Sequence, residues 1–107
     1  MTLAERAASA KAEETAGLLN ELFLSTDRPY DSDFDWYVAK NTPESLLAAA
    51  MMLLPEGAGW NIHAPSSPDQ YNLPAARIWG KWAGTFSGNA ATPALALIAA
   101  VAQSKGL

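Results

Sequence analysis

Two stretches of the chain are almost wholly apolar, and the same short signal opens each. Asn41-Thr42-Pro43-Glu44 precedes the run Ser45 to Leu54, and Ala91-Thr92-Pro93 precedes the run Ala94 to Ala102. A threonine hydroxyl accepts a hydrogen bond from a free backbone N–H of a first helical turn. Proline suits the next position because its missing N–H has no partner to lose there and its φ is already helical. Glu44 complements the positive helix end. The pattern predicts helices over 43–54 and 92–104. In the first, Leu46, Leu47, Ala50, Met51, Leu53 and Leu54 cover most of the circumference, so burial on more than one side is expected. In the second, Leu95, Ile98 and Val101 or Ala102 form the inner face, and Gly106 follows its end.

A third helix is predicted over 2–24, where Ala12, Ala16, Leu19 and Phe23 recur at helical spacing. Thr2 is its expected cap, with Glu5 three residues on. Residues 25–42 read as an acidic, aromatic linker that holds a turn or a short helix around Phe34 to Ala39. Trp60, Ile62 and Ala64 alternate with Asn61 and His63, which is a strand pattern. The segment 65–69 reads as a turn. Residues 71–86 read as a strand with an irregularity at Gly80 or Gly84, and Ser87-Gly88-Asn89 as a turn. Alternation puts Ala76, Ile78, Gly80 and Trp82 on one face and Arg77, Trp79 and Lys81 on the other. Trp60 and Trp82 are expected in the core. The fold class that follows is α+β: one domain with a small antiparallel sheet of two to three strands packed with three helices.

Composition narrows the function classes. Half of the 107 residues are hydrophobic and 17% are charged, so the chain can bury a core. It has no cysteine, which removes disulfides and thiolate metal sites. The apolar runs fall short of the roughly 20 residues that span a bilayer. Glu5, Glu13 and Glu14 stand where a secretory signal would be basic and then apolar, so no membrane and a cytoplasmic location are expected. The net charge is −4 and unevenly spread. Residues 1–56 carry ten acids and four bases, and residues 57–107 one acid and three bases. Direct nucleic-acid binding needs a clustered basic face and is not expected; an acidic half suits a basic partner.

The stretches TPESLLAAAMMLLPEGAGW and AATPALALIAAVAQ, separated by a tryptophan-bearing strand and a second strand, resemble small bacteriophage and prophage proteins of the phage ABA sandwich type. The resemblance covers roughly residues 42–107. It implies helices packed on a small antiparallel sheet and a phage-related origin, hence the cytoplasm of a bacterial host. It implies no particular activity.

Candidate chemistry is sparse. His63 is the single histidine, and a zinc or catalytic site needs several converging groups; an ordinary surface residue is the simpler reading. Asp31-Ser32-Asp33-Phe34-Asp35 opens like a calcium loop, but Trp36 and Thr42 stand where glycine and glutamate belong. Gly84, Gly88 and Asn89 precede the helix start at Thr92 without a phosphate-loop pattern. No cofactor signature is present. A minimal enzyme using His63 with Asp69 or Glu56 has no supporting spacing. Trp79 lies either beneath the N-terminal helix or exposed as a partner anchor.

The expected function is therefore non-enzymatic binding. The candidate partner-binding residues are Asp27, Asp31, Asp33, Asp35, Trp36, Tyr37, Arg77 and Trp79. The expected partner is a host or phage protein, including a nucleic-acid-binding defence complex that acidic residues would occupy by charge mimicry, as an anti-CRISPR or other anti-defence factor. The alternative is a small-ligand domain with a pocket between sheet and helices. A homodimer is a further expected use of the apolar helices and of Met51-Met52.

Overall fold

Both Thr-Pro signals start helices in the computed structural model, which describes residues 1–65, 73–80 and 84–107. Helix α4 spans Pro43–Met52 and helix α5 spans Pro93–Ser104. The Thr42 hydroxyl accepts from the Ser45 N–H at 3.1 Å, and the Ser45 hydroxyl accepts from the Thr42 N–H at 2.9 Å. Thr92 accepts from the Leu95 N–H at 3.2 Å. At the far end of α4, Arg28 donates to the Met52 carbonyl at 2.6 Å, which places a cation on the negative helix end.

The N-terminal segment departs from the single helix expected over 2–24. It forms α1 (Leu3–Ser9), a 3₁₀ turn (Ala12–Glu14) and α2 (Thr15–Ser25). The chain is extended at Ala10, and the Glu14 carboxylate caps the new start by accepting from the Lys11 N–H at 2.6 Å. Thr2 caps α1, as expected, by accepting from the Glu5 N–H at 3.0 Å. The break has a packing cause. α1 lies on α5 through the buried alanines Ala4 and Ala7, whereas α2 reaches both α4 and α5. A straight helix would not serve both surfaces. Arg6 holds the two arms together through two hydrogen bonds to the Glu21 carboxylate, one of 3.0 Å.

Within the 25–42 segment, where a turn or a short helix was expected around Phe34 to Ala39, the chain forms a helix, α3 (Ser32–Lys40). Asp31 caps it, accepting from the N–H groups of Asp33 and Phe34 at 2.9 and 3.2 Å. Asn41 ends it in the left-handed conformation, with φ 55°. Phe34 is buried and stacks on Phe23 of α2 with ring centroids 4.5 Å apart. Its burial, with that of Val38, ties the segment to the core.

Three strands form an antiparallel sheet in the order β1 (Gly59–His63), β2 (Ala75–Gly80) and β3 (Gly84–Asn89). The single strand expected over 71–86 is thus two strands, and the turn expected at Ser87-Gly88-Asn89 is the end of β3. The Ala90 N–H continues the pairing by donating to the Pro74 carbonyl at 3.1 Å. Ile78 pairs with Trp60 on one side and Phe86 on the other, and Ala76 pairs with Ile62 and Gly88. These residues face inward, which fits the alternation expected for Ala76 and Ile78. Lys81, Trp82 and Asp69 lie outside the described residues, as does most of the 65–69 turn.

Helix α5 is the centre of the molecule. Every residue from Ala94 to Ala102 is buried, which its alanine-rich sequence permits by letting neighbours approach closely on all sides. The sheet, α1, α2 and α4 all pack on it, and α3 packs outside α4. This apolar run is covered within its own chain. α4 is more one-sided, burying Leu46, Ala49 and Ala50 while Leu47, Met51 and Met52 stay partly exposed. Trp60 is 44% exposed, not in the core as expected. α5 lies chiefly across β2 and β3, so the inward face of β1 overhangs it.

Candidate functional site

The outer surface of α3 gathers five of the eight expected partner-binding residues. Trp36 is 57% exposed. Its indole is held from two sides: the Tyr37 ring meets it edge-on at 5.3 Å, and the Lys40 ammonium stands 4.9 Å from its centroid. Tyr37 is half-buried against the core and so acts as the fixed side of this arrangement. Asp33 and Asp35 are exposed in the first turn, where their charge also stabilises the helix. Tyr30 extends the aromatic surface, donating from its hydroxyl to Asp35 at 3.3 Å. The Asp35 charge beside it raises the Tyr30 phenol above its ordinary pKa. Asp31 differs from the other carboxylates, because its oxygen is already used by the backbone as the helix cap. Asp27 lies just beyond α2, in the left-handed region with φ 58°.

Arg77 and Trp79 are elsewhere, on the face of the sheet that none of the described helices covers. The N-terminal helices pack on α5, so the reading that they bury Trp79 fails: its side chain is 42% exposed. Alternation brings three rows to this open face. Gly59, Trp79 and Thr85 make one row; Asn61, Arg77 and Ser87 the next; His63, Ala75 and Asn89 the third. The Trp79 indole lies over Gly59. A Cβ on that glycine would stand 2.4 Å from ring atom Cε2, so only a glycine leaves the ring this seat. Beside the indole is a shallow depression of about 500 Å³ lined by Asn61, His63, Arg77, Trp79, Ser87 and Asn89. None of these residues is acidic. Among the described residues the ion pair that forms is Arg6–Glu21, and Arg77 takes no part in one.

The eight residues therefore do not make one site. α3 packs on α4, α4 packs on α5, and α5 packs on the sheet, so two helical elements separate α3 from the open sheet face. A second concavity was not anticipated from sequence. It measures about 530 Å³ and lies where the 3₁₀ turn meets the starts of α4 and α5, with an apolar floor of Pro43, Leu46, Leu47 and Pro93 and a rim of Glu13 and Glu44. The signal for it was the repeated Thr-Pro start; what sequence alone withholds is that the two starts are neighbours in space.

His63 sits on the exposed end of β1, and among the described residues no group of three His, Asp or Glu side chains is placed to hold a metal. No helix among those residues is long and apolar enough to cross a membrane. Compared with known proteins, the chain matches no protein-family pattern, no curated protein and no solved structure.

Proposed function

We propose that this chain is a non-enzymatic binding protein that engages a basic protein surface through α3. In line with the phage resemblance of residues 42–107, its role is that of a phage-encoded accessory factor. It inhibits a host protein or defence complex in the host cytoplasm, an anti-CRISPR role being one form. The observation that carries this reading is Trp36. A large apolar ring is held in the open by Tyr37 and Lys40 while carboxylates flank it on the same helix. A rigid aromatic anchor loses little side-chain entropy on binding, and tryptophan is enriched among residues that dominate interface energy. The carboxylates supply attraction and selectivity toward a basic patch. Interfaces buried between folded surfaces need no internal pocket, and the space between sheet and helix is filled where Gly88 meets α5.

The test is affinity capture from a bacterial lysate at low and moderate salt, with partners identified by mass spectrometry. Wild type, Trp36→Ala and the double variant Asp33→Asn/Asp35→Asn are compared, and Asp31 is left in place because it caps the helix. One dominant partner, lost with Trp36→Ala and weakened by salt and by the double variant, supports the reading. Capture that ignores both variants removes α3 from the interface.

A further inference from the structure

The open sheet face carries a second recognition surface, independent of α3. We infer that it binds a nucleotide, with the base stacked on Trp79 and the phosphate held by Arg77.

Three observations carry the inference. The first is the platform. The Trp79 indole rests on the Gly59 backbone, in the space a side chain would fill. Nε1, Cε2 and Cζ2 of the ring lie against that glycine, and the side chain remains 42% exposed on the face of the sheet opposite α5. Aromatic side chains presented in this way on sheets stack nucleobases whatever their sequence, because every base offers a π-face. The second is charge. Arg77 is two residues from Trp79 on the same strand and face, about 7 Å away by strand rise. It is exposed, is in no ion pair among the described residues, and the depression beside it is lined by neutral or basic side chains only. A guanidinium in that setting has its fork of donors free for a phosphate. The third is polarity. The depression is shallow, and Asn61, Ser87 and Asn89 line it with amides and a hydroxyl suited to a ribose.

The net charge of −4 does not oppose this. The acids lie mainly in residues 1–56, whereas residues 57–107, which include the sheet, carry one acid and three bases. A single guanidinium is a poor tether for a long polyanion, which draws its affinity from many phosphate contacts. It is enough for one phosphate. The occupant is accordingly a mononucleotide and not a nucleic-acid strand.

Isothermal titration of the full chain with adenosine 5′-monophosphate tests the proposal, alongside adenosine, ribose 5-phosphate and an oligodeoxyadenylate. Saturable binding of the monophosphate, tighter than either fragment, is expected. Trp79→Ala should weaken it about tenfold or more, the scale of base–aromatic stacking. Arg77→Gln should bring the monophosphate down to the affinity of adenosine and leave adenosine itself unchanged. Gly59→Ala is the sharper variant: it keeps the indole but evicts it from its seat, and should weaken the monophosphate as Trp79→Ala does, with the urea midpoint retained. The inference is overturned if the monophosphate shows no saturable signal at millimolar concentration. Binding that is indifferent to Trp79→Ala and Gly59→Ala overturns it, as does ribose 5-phosphate binding as tightly as the nucleotide. An oligonucleotide that binds where the monophosphate does not replaces the proposal with a single-strand surface.

Discussion

Gly88 of β3 faces Ala96 of α5 so closely that a Cβ on the glycine would stand 2.6 Å from the Ala96 carbonyl oxygen and 2.8 Å from the Ala99 methyl. Sheet and helix meet backbone to backbone there, and the contact sets how near α5 lies to the strands. Neither neighbour is the end of a flexible side chain, so a larger residue has to push the whole helix away. Gly88→Ala should destabilise the protein by about 1–3 kcal/mol, the usual cost of overpacking a tight core. Urea unfolding followed by circular dichroism checks this, and an unchanged midpoint would mean that α5 shifts freely.

Asp31→Ala should cost about 1 kcal/mol, since it deprives the first turn of α3 of the acceptor for two backbone N–H groups. Asp33→Ala, on the same turn but exposed, should change the urea midpoint far less. If the two variants are equally stable, the cap is not holding α3.

Asn41 closes α3 at φ 55°, a left-handed conformation that asparagine tolerates and alanine resists. Asn41→Ala should lose about 1–2 kcal/mol, and Asn41→Gly should stay close to wild type. The ordering of the three midpoints in thermal unfolding is the check.

Arg6 holds the Glu21 carboxyl below its ordinary range, first through the hydrogen bonds and then through its charge. A carboxyl lowered in the folded state adds stability that is complete above its unfolded-state pKa, about 4.3, and is lost as pH falls through the lower folded value. Wild type should therefore exceed Glu21→Gln in stability at neutral pH, and the difference should close as pH falls below the carboxylate range. Both side chains are half exposed, so the difference is small and shrinks with salt. Paired urea titrations across pH measure it.

Local chemistry was legible in the sequence where it is self-contained. Thr42-Pro43 and Thr92-Pro93 needed no tertiary information to place two helix starts, and the alternation around Ala76 and Ile78 gave the right inward face. The signals for α3 were also present: Asp31 as a cap, Asp33 and Asp35 in the first turn, Lys40 in the last and Asn41 beyond it. A turn or short helix was expected around Phe34 to Ala39, but its bounds were blurred because caps and calcium loops draw on the same acidic residues. Ser87-Gly88-Asn89 reads as a turn by local propensity, yet Gly88 is there because α5 leaves no room for a side chain. The break at Ala10 was hidden, since alanines fit either side of a helix and carry little periodicity. Trp60 was misplaced for a different reason. Alternation says which residues share a face, but only the position of α5 says how far along the sheet that face is covered.

The central place of α5 also fixes the order of events at birth. It follows α1, α2, α4 and the three strands in the chain, and all of them rest on it. While residues 93–104 are still inside the ribosome, the alanines of α1 have no surface to dock on and the inward side of the strands is bare. The docking of α1 on α5 joins segments about 90 residues apart in sequence, a non-local contact of the kind that slows folding. A chain ending before Pro93 would lack the helix on which α1, α2, α4 and the sheet pack, and would leave their apolar faces open to proteases.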